Sequence, residues 1–177
     1  MKLPLAALTL TSLLAAGCAS QSMMGMMSGP TAMATLQPKS GSSSMGTVSF
    51  SPRGGDKVMV TVDLTGLKPN AEHGFHVHER GDCSAPDAMS AGGHFNPMGK
   101  MHGSAAGDHH AGDIQNLKTD ASGRMRGSFE ISGVTVGSGP TDIIGKSVVV
   151  HRDPDDYKSQ PAGNSGPRIA CGVIQRV

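Results

Sequence analysis

Eight histidines stand in the 177-residue sequence, and the placing of six of them beside one aspartate is its strongest chemical signal. His76 and His78 flank Val77. On an extended strand, side chains alternate between faces, so both imidazoles point one way while Phe75 and Val77 point the other. A rigid element would then offer two nitrogen donors at once, although the same pattern also describes two solvated residues on a half-buried strand. His94, His102 and His110 follow at intervals of eight residues, Asp113 comes three after His110, and His151 closes the apolar run Val148-Val149-Val150. Imidazole with carboxylate suits zinc, and an all-imidazole set suits copper or zinc. Six histidines and the aspartate can fill two adjacent sites if one ring uses both of its nitrogens.

The elements that must carry these side chains read as strands. Thr47 to Phe50 and Val58 to Leu64 alternate, with the turn cluster Pro52 to Asp56 between them. Further strands are expected at Gly74–Glu79, Ile114–Thr119, Gly127–Ile131, Ser147–Arg152 and Arg168–Arg176. No helical periodicity is present. Many short strands with Gly-rich turns point to an all-β, antiparallel sandwich or barrel. Two stretches, Ser90 to Asp113 and Pro154 to Pro167, lack any strand pattern. Having no apolar face of their own, they need another device to hold them, such as metal ligands or a disulfide.

The chain as a whole suits one domain plus a leader. A net charge of +1 gives no footprint for nucleic acid, so any charge-steered partner must be drawn by local groups. Residues 1–17 read as an export signal, with Lys2, the apolar stretch Leu3 to Leu14, and Ala15-Ala16-Gly17 before Cys18. That ending is similar to a bacterial lipoprotein signal, which makes Cys18 a lipidation site. The alternative is an ordinary secretory peptide with a chance Cys. Residues 18–31 read as a Met/Ser/Gly-rich linker, and 32–177 as the folded domain. Met23, Met24, Met26, Met27 and Met33 suit Cu(I), or belong to a linker without function. If Cys18 carries lipid, the remaining Cys83 and Cys171 are left as a pair in an oxidising compartment.

Several segments resemble one family. Gly74-Phe75-His76-Val77-His78-Glu79 is similar to the copper-binding strand of copper–zinc superoxide dismutases. Gly92-Gly93-His94-Phe95-Asn96-Pro97 resembles their bridging-histidine segment, and His110-Ala111-Gly112-Asp113 the end of their zinc loop. Gly145 to His151 resembles the strand with the last copper ligand, and Arg168-Ile169-Ala170-Cys171-Gly172-Val173-Ile174 the C-terminal signature. The matches occur in the family's order from about residue 32 onward.

The resemblance implies an immunoglobulin-like Greek-key architecture with long metal-binding and electrostatic loops. It implies copper on His76, His78, His94 and His151, zinc on His94, His102, His110 and Asp113, and His94 as the shared imidazolate. Arg168 would hold the superoxide anion, Asp155 would link a copper-ligand histidine to a zinc-ligand one, and Cys83 and Cys171 would be the intrachain disulfide. His73 and His109 would be structural or exposed. Lys100 and Lys158 would be steering charges or ordinary solubilising ones. The implied activity is dismutation of superoxide to O2 and hydrogen peroxide on the periplasmic face of a bacterial membrane. A homodimer is compatible with the resemblance, but dimer contacts differ between branches of the family. The rival reading is a non-enzymatic copper-binding or copper-delivery protein on the same fold. Relatives that lost catalysis lack a copper ligand or the site arginine, and this sequence has all four copper positions and Arg168.

Overall fold

A computed structural model describes residues 31–177. The leader, Cys18 and four of the five methionines expected in the linker lie outside the described residues. Met33 does not belong to a tether: it sits in β1 (Ala32–Pro38) opposite Ser49 and Gln175. Thr31 is already docked as well, its N–H donating to Phe50 O at 3.0 Å.

Strands β1, β2 (Met45–Gly54) and β3 (Lys57–Thr65) form an antiparallel meander. Their alternation is the physical cause of the layer: Ala32, Ala34 and Leu36 from β1 and Val58, Val60, Val62 and Leu64 from β3 are buried on one face. Next come β4 (Glu72–His73), β5 (Phe75–His78), β6 (Leu117–Lys118), β7 (Met125–Ile131), β8 (Ser147–His151), β9 (Arg168–Val173) and β10 (Gln175–Arg176). The main sheet runs β5-β8-β9-β1-β2-β3-β7, with β10 beside β1 and the short pair β4-β6 apart from it. β1 belongs to both halves, pairing with β2 along its length and with β9 at Gln37 and Pro38. The sheet curls on itself so that its two terminal strands meet. Phe75 of β5 and Phe129 of β7 stack edge to face with ring centroids 6.5 Å apart. This is the expected Greek-key sandwich or barrel, and among the described residues the only helical turn is the 3-10 turn Met89–Ala91.

Two expected strands come out shorter than their sequence pattern. Ile114–Thr119 contributes only Leu117–Lys118, because Asn116 is committed elsewhere: its N–H donates to the Tyr157 hydroxyl and its amide grips the backbone of Asp155. Arg168–Arg176 divides at Ile174, whose N–H and C=O are taken by Lys146 and Gly145 as the chain passes from β8 to β1.

A second, smaller apolar cluster lies outside the sandwich. Val149 from β8 and Cys171 from β9 pack there against Ala88, Ala91 and Cys83 of the loop after β5. The Cys83–Cys171 disulfide passes through this cluster, with a Cα–Cα distance of 5.8 Å. Cross-linking residues 88 apart in sequence removes about 4–5 kcal/mol of unfolded-chain entropy in the simplest treatment.

Phe75 is fully buried at the seam where the curled sheet closes. Phe75→Ala is expected to cost about 3–5 kcal/mol, read as a lower urea midpoint at unchanged slope.

Candidate metal centre

β5 ends the sheet order, so one of its edges has no strand partner, and the long loop takes that place. Val77 N–H donates to Gly112 O at 2.9 Å, Phe95 N–H to Val77 O at 2.8 Å, and Glu79 N–H to Gly93 O at 2.9 Å. The loop thus lies against the strand like a broken partner, bringing His94 and Asp113 beside His78 and His76. The approach is close enough to require glycine at 112, where a Cβ would meet Val77 O at 2.2 Å. His76 and His78 face this side, as alternation predicts, but they are not solvated. Both are 0% exposed, because the loops cover that face.

Each ring has one nitrogen occupied by a partner on the outside and the other turned inward. His78 Nδ1 lies 2.9 Å from Gly92 O, and His151 Nδ1 lies 3.2 Å from Gly166 O. A carbonyl only accepts, so these nitrogens carry the protons and both Nε2 atoms are lone pairs. Those lone pairs face each other across 3.4 Å. The buried pair His76 Nε2 and Asp155 Oδ2 sits at 2.8 Å, which leaves His76 Nδ1 without a partner. His94 Nε2 is buried and unpartnered as well, and it completes a set of four nitrogens within 4.8 Å of one another. Inward-facing lone pairs repel unless a cation lies between them.

The neighbouring set has the same logic. Asp113 Oδ2 is satisfied by the N–H groups of Gly103 and His110. Its Oδ1 lies 2.7, 3.0 and 3.2 Å from Nδ1 of His94, His102 and His110. Four donors around a tetrahedral zinc at about 2.0 Å are separated by about 3.3 Å, so the spacing fits one such ion. His102 makes the case sharpest: its Nε2 is held by Asp155 Oδ1 at 2.9 Å, so the nitrogen turned toward Asp113 is a lone pair facing an anionic oxygen. One ring, His94, faces both sets.

Asp155 is the tie between them. Its two oxygens reach His76 and His102, and Oδ1 also accepts the Tyr157 N–H at 2.7 Å. Asn116 clamps the Asp155 backbone from both sides, and Gln160 clamps that of His102. Gly163, at φ +63°, passes so close that a Cβ would fall 1.8 Å from Asp155 Oδ1. Asn116, Gln160 and Gly163 have no motif of their own; nothing in sequence spacing points to them. His73 is structural, with Nδ1 2.9 Å from His151 O, and half-buried His109 has its Nδ1 beside His110 O.

Arg168 closes the opposite side. Its Nη1 donates to Ala88 O and its Nη2 to Gly92 O, both at 2.7 Å. It lines a recess of about 300 Å³ with His78, His94 and His151. Lys100 is paired with Asp108 at 3.0 Å, while Lys158 is exposed and has no ion pair among the described residues.

The sequence model of the copper/zinc superoxide dismutase family matches residues 44–174. The chain belongs to that family. It is 48% identical over 123 residues to superoxide dismutase [Cu-Zn] 2 of Aquifex aeolicus, covering 67% of this chain and 72% of the relative. Against superoxide dismutase [Cu-Zn] of Saccharomyces cerevisiae it is 46% identical over 122 residues, 65% of this chain and 78% of the relative. Among solved structures, the clock protein EA4 is similar at a TM-score of 0.75 and 38% identity, over 84% of this chain and 96% of that one. A SOD-like protein from Bacillus subtilis is similar at 0.71 and 34%, over 79% and 95%. Copper and zinc are the family's metals, and the two donor sets fit them.

Burial, reinforced by the neighbouring His94, holds His76 and His78 well below the ordinary imidazole range; burial brings His151 down to about 4. Burial works against the charge of Asp113, but the hydrogen bond and charge of His94 outweigh it and keep the carboxyl well below its usual range. Between pH 6.5 and about 4 the unfolded chain therefore binds more protons at these histidines than the folded one does. The metal-free protein should lose stability steadily as pH falls through that window, with the Asp113 contribution following below pH 3.8. Urea titrations at successive pH values check this; a flat profile from 6.5 to 4 would contradict it.

Proposed function

We propose that this protein dismutates superoxide to O2 and hydrogen peroxide, with copper held by His76, His78, His94 and His151 and zinc by His94, His102, His110 and Asp113. The observation that carries the reading is His94, whose Nδ1 belongs to the carboxylate set while its buried Nε2 belongs to the four-nitrogen set. Bound there, copper supplies one-electron exchange with superoxide, and zinc, without redox chemistry, supplies a fixed positive charge. The protein's own groups do the rest. Arg168 has two N–H groups tied to backbone carbonyls, so its remaining donors are held toward the recess, where they meet an anion. His94 Nε2 can take up a proton and pass it to the departing peroxide. Asp155 fixes the rings of His76 and His102 by accepting from their outer nitrogens, the usual way ligand histidines are oriented.

The deciding assay is superoxide consumption by copper- and zinc-loaded protein beside a chelated control, in which only the loaded sample should be active. Arg168→Ala should lower catalytic efficiency severalfold or more and flatten its ionic-strength dependence while copper stays bound. His94→Ala should abolish the spectroscopic signature of a coupled metal pair together with most activity. An unchanged copper spectrum in that variant would remove the bridging role.

The reading includes the compartment. The Ala15-Ala16-Gly17-Cys18 ending supports export and lipid attachment at Cys18, which would hold the domain on the periplasmic face of a bacterial membrane. The disulfide supports it too, since such bonds persist in oxidising compartments. Among the described residues no helix is long and apolar enough to cross a membrane. Multiple acyl chains anchor stably where one is marginal. Cys18→Ser should therefore leave activity intact and release the protein from membrane fractions. Mass spectrometry showing an unmodified Cys18 in the parent protein would overturn this.

A further inference from the structure

Beside the recess over His78, His94 and His151 lies a second one of about 350 Å³, which shares His151, Pro161, Ala162 and Arg168 with it. Together they form the approach to the four-nitrogen set. Among all their lining residues, histidines aside, only two side chains carry charge: Arg168 and Asp87. Asp87 is exposed and makes no ion pair among the described residues. Its Oδ1 accepts the Met89 N–H at 3.0 Å, an Asx turn that leads into the 3-10 turn Met89–Ala91 from the residue before its N-cap, Ala88. That turn is what presents Arg168 with its acceptors: Ala88 O precedes it, Gly92 O follows it, and Gly92 N–H is bonded back to Met89 O at 3.1 Å.

We propose that Asp87 is a positioning residue that sets the anion affinity of this approach: its carboxylate orders the turn that holds Arg168 and, by its charge, opposes the entry of anions. The two effects have opposite signs. The hydrogen bond to Met89 favours capture by keeping the turn, and so the guanidinium, in one orientation. The charge disfavours capture, because it offsets the single fixed cation of the approach, and no lysine lines either recess to restore the balance. Burial works against the positive charge of Arg168 and the Asp87 carboxylate works for it, as expected of two groups that share one field. Since Asp87 is exposed, solvent and salt screen its charge, and the net effect is one of rate and affinity at low ionic strength.

The inference rests on the anion-binding reading of Arg168 but can be tested without turnover. Copper- and zinc-loaded parent protein, Asp87→Asn and Asp87→Ala are titrated with sodium azide, followed by the visible absorption of copper, at low and high salt. Asparagine keeps an oxygen that can accept the Met89 N–H and loses only the charge. It should bind azide about two- to fivefold more tightly than the parent at low ionic strength, with the difference closing at high salt. Its superoxide kcat/KM should rise by a similar factor with a steeper salt dependence. Alanine loses that hydrogen bond and the charge together and should bind azide more weakly than the asparagine variant. Equal azide affinity and equal salt slopes in parent and Asp87→Asn would overturn the electrostatic role, and equal behaviour of the two variants would overturn the positioning role. If the parent binds azide but consumes no superoxide, the dismutase reading fails while the azide comparison still decides Asp87.

Discussion

Six imidazole rings and two carboxylates occupy a volume that water scarcely reaches, and every ring points a lone pair or an open nitrogen at its neighbours. Burying polar groups this way is costly unless each atom has a partner. Here the outer atoms do: carbonyls of Gly92 and Gly166 take His78 and His151, and Asp155 takes His76 and His102. Several inner atoms do not: His76 Nδ1, His94 Nε2 and His102 Nδ1 have no hydrogen-bond partner, and the Nε2 atoms of His78 and His151 face each other, an arrangement that a cation satisfies. The donor sets are therefore preorganised by hydrogen bonds outside them and left in mutual repulsion within. The surrounding fold can be understood as the means of holding that arrangement.

The means are divided between sheet and loop. β5 and β8 bring three rings on rigid backbone, while His94, His102, His110 and both carboxylates come from segments with no apolar stripe. Those segments are fastened by four devices: the free edge of β5, the small cluster around the disulfide, the Asp155 bridge, and Arg168. The devices interlock. Cys171 lies three residues after Arg168 in β9, and Cys83 lies in the loop whose turn carries the Arg168 acceptors. One cross-link thus aligns the cation with its carbonyl partners, and because Gly92 O also takes His78 Nδ1, the same turn ties the anion site to a ring on the strand.

Strand alternation made β3, the His76–Val77–His78 pattern and the all-β class legible, because period-two burial is a local property. The chemistry of the ligand residues was legible for a similar reason: few other roles suit His94, His102, His110 and Asp113 in a stretch without a core. At His76 and His78 the pattern alone left a solvated alternative open, which burial excludes. A strand's second face reads as solvated until a loop from elsewhere covers it, and that cover is a tertiary fact. The same distance in sequence hid Asn116, Gln160 and Gly163, which act on residues 39, 58 and 8 positions away through backbone and steric contacts. Short strands were overestimated wherever a residue such as Asn116 exchanges sheet pairing for the site.

The protonation pattern has a consequence for how the two sets depend on each other. His76, His78, His102 and His151 each keep a proton on the outer nitrogen, so a cation can bind the inner one without displacing it. His94 is different, since Nδ1 lies 2.7 Å from Asp113 Oδ1 while Nε2 opens into the other set. A neutral ring has one proton, and it must sit on one of these two nitrogens; both sets can be filled only when it leaves. Ligand deprotonation makes metal affinity depend on pH. A cation in the carboxylate set would be held by His94 Nδ1 and one in the four-nitrogen set by His94 Nε2, so the ring would serve both sets only without its proton. A proton on His94 Nε2 and a cation held by the same nitrogen would therefore compete for one lone pair.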